Sequence, residues 1–210
     1  MTGTPCHFIR LSGCNMWDGR PETRADSKCP FCDTDFFSHT MMTSLEIVDT
    51  LEELGTSRTI PWVTISGGEP ALQVDYVLTE ELHRAGYKIA IETNGTVPLK
   101  VHHGRWEAYA TVFVNGYVDY VTISPKLPRA KLFTPYAMDC LKLLWPHPNP
   151  LIRPEAFDKD SVNAVTRYLQ PIEDADPEVT RANVAATIAK LYELPGWKLS
   201  LQTHKYIGVE

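Results

Sequence analysis

The chain has 210 residues, of which 43% are hydrophobic and 22% charged, so it is long enough to bury a core and is not composed like a disordered chain. It carries 20 Lys and Arg against 26 Asp and Glu, a net charge of −6, without a basic run, which excludes a phosphate-tracking nucleic-acid surface. No apolar run approaches the ~18 residues of a membrane helix, and the first ten residues lack signal-peptide order. We therefore expect one cytoplasmic domain over 1–210, with reduced thiols and no nucleic-acid or membrane partner.

Short apolar segments alternate with helical patterns along the chain. The predicted strands are 7–11, 62–66, 88–92, 117–123, 139–145, 168–170 and 198–202, and the predicted helices are 44–55, 75–85, 155–165 and 178–194. This alternation predicts an α/β fold with a mainly parallel sheet, either open and doubly wound or a full or partial barrel. Residues 102–116 are the least regular stretch and form a candidate peripheral insertion.

The cysteines between residues 14 and 32 give the clearest chemical signal. They read C-x14-C-P-F-C, with Cys29 and Cys32 separated by two residues and Cys14 across a polar loop. Three interpretations compete: scattered thiols, a structural zinc site that recruits Cys6 or His7 as its fourth ligand, or an iron–sulfur cluster held by three cysteines. In the last case one iron of a four-iron cluster has no protein ligand and is free to bind a substrate or cofactor. An odd total of five cysteines argues against a disulfide framework.

Polar clusters follow five predicted strands. They are Ser66-Gly67-Gly68-Glu69-Pro70, Glu92-Thr93-Asn94-Gly95, Ser124-Pro125-Lys126, Gln170-Pro171 and Gln202-Thr203-His204-Lys205. In β/α folds, ligands bind at the carboxyl ends of the strands, so these clusters and the cysteine loop are expected to surround one cofactor. Glu69 is a candidate for binding an ammonium group, and the segment beginning at Glu92 for binding ribose hydroxyls.

Together these motifs resemble a known family. Cys29-Pro30-Phe31-Cys32 and the Gly-Gly-Glu-Pro turn are similar to those of radical S-adenosylmethionine (SAM) enzymes. The x14 spacing between Cys14 and Cys29 departs from the C-x3-C spacing that is usual in that superfamily. From about Thr4 to the C-terminus, the chain resembles the 7-carboxy-7-deazaguanine synthase family, both in this spacing and in the segments at residues 8–17, 32–36, 92–95, 124–126 and 202–206. The family pattern has a further strand and a Gln-Gly-Glu-Gly turn before the segment matching Gly3. Either the chain is shortened or its start was placed at an internal methionine, and we expect the loss of that turn to affect substrate binding more than cofactor binding. The segment around 102–116 looks longer than is usual in the family.

The resemblance implies a modified, incomplete (β/α) barrel and a lyase reaction. In that reaction, 6-carboxy-5,6,7,8-tetrahydropterin becomes 7-carboxy-7-deazaguanine by ring contraction with loss of ammonia, a step toward queuosine-type 7-deazapurines. The implied cofactors are a [4Fe-4S] cluster, SAM and Mg²⁺. One electron from the cluster cleaves SAM to a 5′-deoxyadenosyl radical, which takes hydrogen from C6 of the substrate. A flavodoxin-like electron donor and a homodimer are the implied partners.

The resemblance also implies roles for individual residues. Cluster ligands are Cys14, Cys29 and Cys32, and Thr34 matches the magnesium position. The residues expected to line SAM are Phe31, Cys32, Asp33, Gly68, Ser124, Pro125, Lys126, Gln170, Pro171, Ile172 and Glu173. Substrate contacts are expected at Arg10, Ser66, His204 and Glu210. Cys6 and Cys140 are expected to be structural residues in strands, and Trp17 to pack the cysteine loop.

Two other functions remain open at the level of the sequence. A glycyl-radical activase of the same superfamily shares the cluster and the Gly-Gly-Glu turn but has no use for Arg10 and Thr34. A zinc-binding adaptor is colourless and gives the turn at residues 66–70 no purpose.

Overall fold

A computed structural model gives the structure of residues 3–35, 38–100, 102–103, 117–133, 138–157, 162–203, 205 and 208. Its strands are β1 (His7–Leu11), β2 (Trp62–Gly67), β3 (Lys88–Thr93), β4 (His102–His103), β5 (Tyr117–Val118), β6 (Tyr120–Ile123), β7 (Met138–Trp145), β8 (Ala164–Pro171) and β9 (Trp197–Leu199). Its α-helices are α1 (Ser44–Leu54), α2 (Tyr76–Arg84) and α3 (Pro177–Tyr192). Short 3-10 helices span Pro21–Thr23, Pro70–Leu72, Arg129–Lys131 and Pro154–Phe157. No helix in these described ranges is both long and apolar enough to cross a membrane.

Seven strands form one parallel sheet in the order β1-β2-β3-β6-β7-β8-β9. Neighbours in the sheet follow the order of the chain, as in a β/α barrel, whereas a doubly wound sheet reverses direction at a switch point. Over the described residues β1 and β9 lie at opposite edges, so the sheet is open. The expected incomplete barrel is therefore confirmed.

The two faces of the sheet differ in chemistry. One face is apolar: Ile65, Ile91 and Leu141 are fully buried in a core that also includes residues of α1 and α2. On the other face, register pairs Arg10 with Ser66 and Thr64 with Ala90, which places Ser66 beside Glu92. Since side chains alternate between faces with period two, this polar row lies opposite the core.

Three of the four predicted helices are present, and one is wrong. Helix α1 starts at a capping box, in which the side chains of Thr43 and Glu46 each accept from the other residue's backbone N–H. The predicted helix 155–165 is wrong in its described parts: the chain makes a 3-10 turn at Pro154–Phe157 and has entered β8 at Ala164, before the predicted 168–170, and residues 158–161 lie outside the described ranges. Buried Arg167 donates to the carbonyls of Phe157, Val162 and Ala164, which satisfies this backbone without a helix.

The predicted strand 117–123 is divided at Asp119. Its carboxylate accepts the Ile89 N–H at 2.8 Å and lies 3.0 Å from His83 Nε2, so the side chain replaces part of the ladder. The predicted strand 198–202 is shorter and ends at Leu199. At the start of the candidate insertion 102–116, β4 pairs with β5, which lies just after the insertion, in a separate sheet; residues 104–116 lie outside the described part.

Candidate active site

The candidate site lies at the edge of the sheet where the parallel strands end. The cysteine loop follows β1, Gly67 and Gly68 close β2, and Asn94 follows β3. Asn94 Nδ2 donates to Asn15 Oδ1 in the cysteine loop at 2.8 Å, which joins two of these segments directly. The strand ends therefore meet around one space, as the sequence predicts.

The cysteine loop is organised around Trp17, as expected. The Trp17 side chain is buried, and its Nε1–H donates to the Arg20 carbonyl and to Thr23 Oγ1, each at 3.1 Å. The guanidinium of Arg24 lies 4.4 Å from the centre of the indole ring and donates to the Cys32 carbonyl. A cation over an aromatic face is attractive, so Trp17 and Arg24 link the two ends of the loop.

The three loop cysteines form one electrostatic group. The Cys32 N–H donates to the Cys29 carbonyl at 3.1 Å, which makes the tight turn of the C-x2-C pair. A hydrogen bond from the Cys29 thiol lowers the pKa of Cys32 to about 6, and the same bond with burial raises the pKa of Cys29. Burial raises the pKa of Cys14, and the negative charges of Glu69 and Cys32 add to that effect. The thiols of all three residues therefore affect one another.

This donor set fits an iron–sulfur cluster better than a single metal ion. In the described ranges, no group of three or more His, Cys, Asp or Glu side chains is arranged to hold one metal ion. A structural zinc site needs four ligands about 2.0–2.3 Å from one ion, whereas three thiolates are enough to hold a four-iron cluster with one iron left open. A four-iron cluster presents its iron atoms at separate corners, so its thiolate ligands stand farther apart. The ammonium of Lys126 lies close enough to Cys29 and Cys32 to favour their anionic forms.

Gly68 is required by the close approach of two backbone segments. Its N–H donates to the Leu11 carbonyl at 2.9 Å, and the next N–H, of Glu69, donates to the Gly13 carbonyl at 2.9 Å. A Cβ on Gly68 would lie 2.0 Å from the Gly13 oxygen and 3.0 Å from Cys14 Cβ. The turn after β2 therefore fits against the cysteine loop only because residue 68 has no side chain.

Glu69, the candidate for binding an ammonium group, is held by three hydrogen bonds within the protein. The side chain is fully buried, which raises its pKa. Its Oε1 accepts from the Ala71 N–H at 2.9 Å and from Thr93 Oγ1 at 2.5 Å, and its Oε2 accepts from the Asn94 N–H at 2.7 Å. The carboxylate thus joins the turn after β2 to the end of β3.

Lys126 faces the cysteines from the end of β6. Its Nζ donates to Ser124 Oγ at 2.6 Å and to the Ser124 carbonyl at 3.2 Å. Burial lowers the pKa of Lys126, while the nearby negative charges of Cys29 and Glu92 oppose that shift. The predicted segment 124–126 thus presents a positive charge beside the cysteines.

Arg10, Ser66 and Thr34 are brought together on the polar face. Arg10 pairs in register with Ser66, and its NH1 lies 3.5 Å from Thr34 Oγ1, a long hydrogen bond. The guanidinium also lies 5.1 Å from the ring centre of Phe8. Three residues that are each at least 24 positions apart in the sequence thus meet in one region.

Sequence reasoning missed the partner of Glu92. Lys142 on β7 donates to both carboxylate oxygens of Glu92, at 2.8 and 2.9 Å. A lysine within the otherwise apolar run 140–145 was the available signal, because a charged side chain in a central strand needs a partner.

The end of the chain contacts the residue that follows the last cysteine of the loop. Asp33 Oδ2 accepts from Gln202 Nε2 at 2.9 Å and from Lys205 Nζ at 2.8 Å, and Lys205 also pairs with Glu173. Gln170 Oε1 accepts from Ser200 Oγ at 3.1 Å, while Pro171 and Ile172 are buried. Of the other predicted residues, His204 and Glu210 lie outside the described ranges.

Of the remaining cysteines, only Cys140 matches its expected setting. Cys140 is buried in β7, whereas Cys6 precedes β1 and is exposed, so its placement in a strand is wrong.

Comparisons with known proteins agree with this architecture. The family model of the Radical SAM superfamily matches residues 23–140. A 7-carboxy-7-deazaguanine synthase from Caulobacter vibrioides is 34% identical over 215 residues, which cover 99% of this chain and 90% of the relative. One from Bradyrhizobium diazoefficiens is 35% identical over 209 residues, covering 96% and 88%. The crystal structure of QueE from Escherichia coli shares the fold, with a TM-score of 0.56 at 22% identity, covering 96% of this chain and 86% of that chain.

The open parallel barrel and the three-cysteine loop, with a family match over more than half of the chain, define a radical SAM protein. Within that superfamily, the chain belongs to the family of the 7-carboxy-7-deazaguanine synthases. The resemblance drawn from the motifs is thereby confirmed.

Proposed function

We propose that the chain catalyses the reaction for which its relatives are named, forming 7-carboxy-7-deazaguanine from 6-carboxy-5,6,7,8-tetrahydropterin with loss of ammonia. The observation that carries this proposal is that the cysteine loop meets Arg10, Ser66 and Thr34 on the polar side of the sheet. A glycyl-radical activase offers no use for that second group of residues. Relatives of the same name over nearly the whole chain support the same reaction.

In this proposal, Cys14, Cys29 and Cys32 hold a [4Fe-4S] cluster. When bound, the cluster supplies an electron and SAM supplies the radical that removes hydrogen from the substrate. The chain's own part is to orient these groups and exclude water. The residues proposed to line SAM are Phe31, Cys32, Asp33, Gly68, Ser124, Pro125, Lys126, Gln170, Pro171, Ile172 and Glu173.

Arg10 is proposed to bind the substrate carboxylate through two parallel hydrogen bonds. Thr34, whose hydroxyl lies 3.5 Å from Arg10 NH1, is proposed to bind Mg²⁺ next to the same carboxylate, since magnesium prefers oxygen ligands and keeps waters. Ser66, on the neighbouring strand, contacts the substrate, and His204 and Glu210 complete the proposed substrate contacts. Positioning of this kind contributes several kcal/mol to catalysis, about 7–11 at most.

The remaining parts of the proposal rest on the family resemblance. They are one domain over 1–210, a cytoplasmic location, a flavodoxin-like electron donor and a homodimer. Sedimentation of the purified protein tests the homodimer, and reduction by flavodoxin in place of dithionite tests the donor.

The direct test uses the whole protein, purified without oxygen, reconstituted with iron and sulfide, and incubated with dithionite, SAM, Mg²⁺ and the carboxypterin. We expect a brown protein and a product with the mass of 7-carboxy-7-deazaguanine. Ala at Cys14, Cys29 or Cys32 should remove the iron and all turnover, because a cluster with two anchors is labile. Exposed Cys6→Ala is the matched control and should keep full iron. Iron loss in Cys6→Ala would contradict the ligand assignment, and a colourless zinc protein would contradict the function.

A second test addresses magnesium. Thr34→Ala should slow turnover and weaken its dependence on magnesium, whereas Thr34→Ser keeps the hydroxyl and should retain both. Equal magnesium dependence of the wild type and Thr34→Ala would contradict the magnesium assignment.

A third test addresses the substrate carboxylate. Arg10→Ala should raise the KM for the pterin about tenfold or more, the range expected for a lost charge-assisted pair, while uncoupled SAM cleavage continues. Turnover that is indifferent to this change would contradict the substrate assignment.

A further inference from the structure

The ion pair between Glu92 and Lys142 is not among the residues proposed to hold the cluster, SAM, magnesium or the substrate. Lys142 Nζ contacts both oxygens of Glu92, and the two side chains are 17% and 36% exposed. A half-buried ion pair is a poor source of stability, since desolvation offsets much of the attraction. The apolar face of the sheet holds the core, so the fold does not require charges on the other face. Their presence points to a ligand.

The position of Glu92 indicates which ligand. In the register of the sheet, Arg10, Ser66 and Glu92 occupy one row on successive strands β1, β2 and β3. Strands lie about 4.8 Å apart, so Arg10 and Glu92 stand on backbones about 9.6 Å apart, which is comparable to the length of a bicyclic pterin. The other two members of this row, Arg10 and Ser66, are both proposed to contact the substrate, so we group Glu92 with them.

We propose that Glu92 is a substrate-binding residue, positioned by Lys142, that accepts hydrogen bonds from the aminopyrimidinone edge of the pterin. This inference rests on the proposed function. With its carboxylate at Arg10, the substrate presents at its far end an amino group and a ring N–H on neighbouring atoms, and a carboxylate accepts from both at once. Each oxygen of Glu92 retains lone pairs for these bonds while Lys142 holds the other side.

Lys142 acts through Glu92. It fixes the orientation of the carboxylate by contacting both oxygens, and it keeps the group ionised. Burial pushes the pKa of Glu92 upward, but the ammonium groups of Lys142 and Lys126 outweigh burial and hold that pKa below its usual value. Lys142 is therefore a positioning residue, and Glu92 the residue that touches the substrate.

The experiment measures the dissociation constants of the carboxypterin and of SAM separately, by calorimetry on the cluster-loaded, unreduced protein, so that no turnover occurs. Glu92→Gln and Lys142→Met should each weaken pterin binding about tenfold or more, with SAM binding changed less than about twofold. The double variant should be no weaker than Glu92→Gln, because Lys142 acts through Glu92. Lys142→Arg should restore most of the affinity.

A matched control exists on the outer side of the sheet. Lys190 pairs with Glu155 at 2.7 Å, with side chains 19% and 49% exposed, close to those of the Glu92 pair. Lys190→Met and Glu155→Gln should leave both dissociation constants unchanged. A pterin analogue without the 2-amino group should bind the wild type about as weakly as the full pterin binds Glu92→Gln.

The possible results separate this inference from the proposed function. Weaker binding of SAM with unchanged binding of the pterin would assign Glu92 to the ribose hydroxyls and overturn the inference. Equal weakening of both ligands with a lowered melting temperature would show a structural role and also overturn it. A wild type that neither binds nor converts the pterin overturns the proposed function itself, and the inference with it.

Discussion

The two sides of the candidate site are held in place by different kinds of contact. On the side of the cysteine loop, backbone lies directly on backbone: Gly68 and Glu69 donate to the carbonyls of Leu11 and Gly13, each at 2.9 Å. On the side of the chain end, charged and polar side chains make the contact, as Lys205 bridges Asp33 and Glu173. Those side chains are 36% to 46% exposed.

This difference separates a fixed side from an adjustable one. Two backbone segments in direct contact can shift relative to each other by only a few tenths of an ångström, and the hydrogen bonds between them are insensitive to salt. Ion pairs between half-exposed side chains contribute about 0–1 kcal/mol each and weaken as salt screens them. We therefore expect the cysteines to be positioned by the fold itself, and the chain-end contact to depend on charge and ionic strength.

The largest effect is expected where the fixed side is broken. In Gly68→Val, the added Cβ would meet the Gly13 oxygen at 2.0 Å and Cys14 Cβ at 3.0 Å, so the cysteine loop must move. We expect loss of both the cluster and SAM cleavage, measured as iron content and 5′-deoxyadenosine. Gly13→Ala is the control, because a Cβ there meets nothing within 4 Å, although its φ of +78° makes the change mildly strained. A brown Gly68→Val protein that still cleaves SAM would contradict the close packing.

A smaller effect is expected where the same side loses a buried hydrogen-bond acceptor. In Glu69→Gln, an NH2 group replaces one oxygen and faces a donor, either the Asn94 N–H or the Ala71 N–H and Thr93 hydroxyl. An unsatisfied buried group of this kind costs about 1–3 kcal/mol, so the midpoint of urea unfolding should fall. Exposed Glu53→Gln should not change it. Unchanged stability with weaker SAM binding would show that Glu69 acts in ligand binding and not in holding the turn.

The fixed side is also the part that the sequence predicted best. The cysteine spacing and the Gly-Gly-Glu-Pro turn are local motifs, and each follows a strand whose bounds were predicted to within a residue. The function of Glu69 was not predictable in this way. Its partners Thr93 and Asn94 are 24 and 25 positions away, and only the pairing of β2 with β3 brings them to it.

The errors in the fold have a similar origin in contacts between distant segments. A helix was predicted over residues 155–165, but the described parts are a 3-10 turn and the start of β8, and Arg167 binds the carbonyls of Phe157 and Val162 there. The contact of Lys142 with Glu92 was not predicted, because an apolar run indicates a strand but not which residues of other strands lie near it on the same face of the sheet. Local pattern predicts the elements, and tertiary contacts decide where they start and which side chains meet.

The smallest effect is expected on the adjustable side, at Lys205. Lys205→Met removes the bridge and leaves Asp33 and Glu173 as neighbouring unpaired carboxylates near the proposed SAM site, while Gln202 still donates to Asp33 at 2.9 Å. We expect SAM binding to the cluster-loaded, unreduced protein to weaken about three- to tenfold at low salt, in line with the modest value of exposed ion pairs. The difference from the wild type should shrink above about 0.5 M salt, because screening weakens the bridge in the wild type as well. Lys205→Arg keeps the charge and should retain most of the affinity. A loss that is the same at every salt concentration, or one that Arg does not rescue, would show that Lys205 acts through packing and that the two sides of the site are held alike.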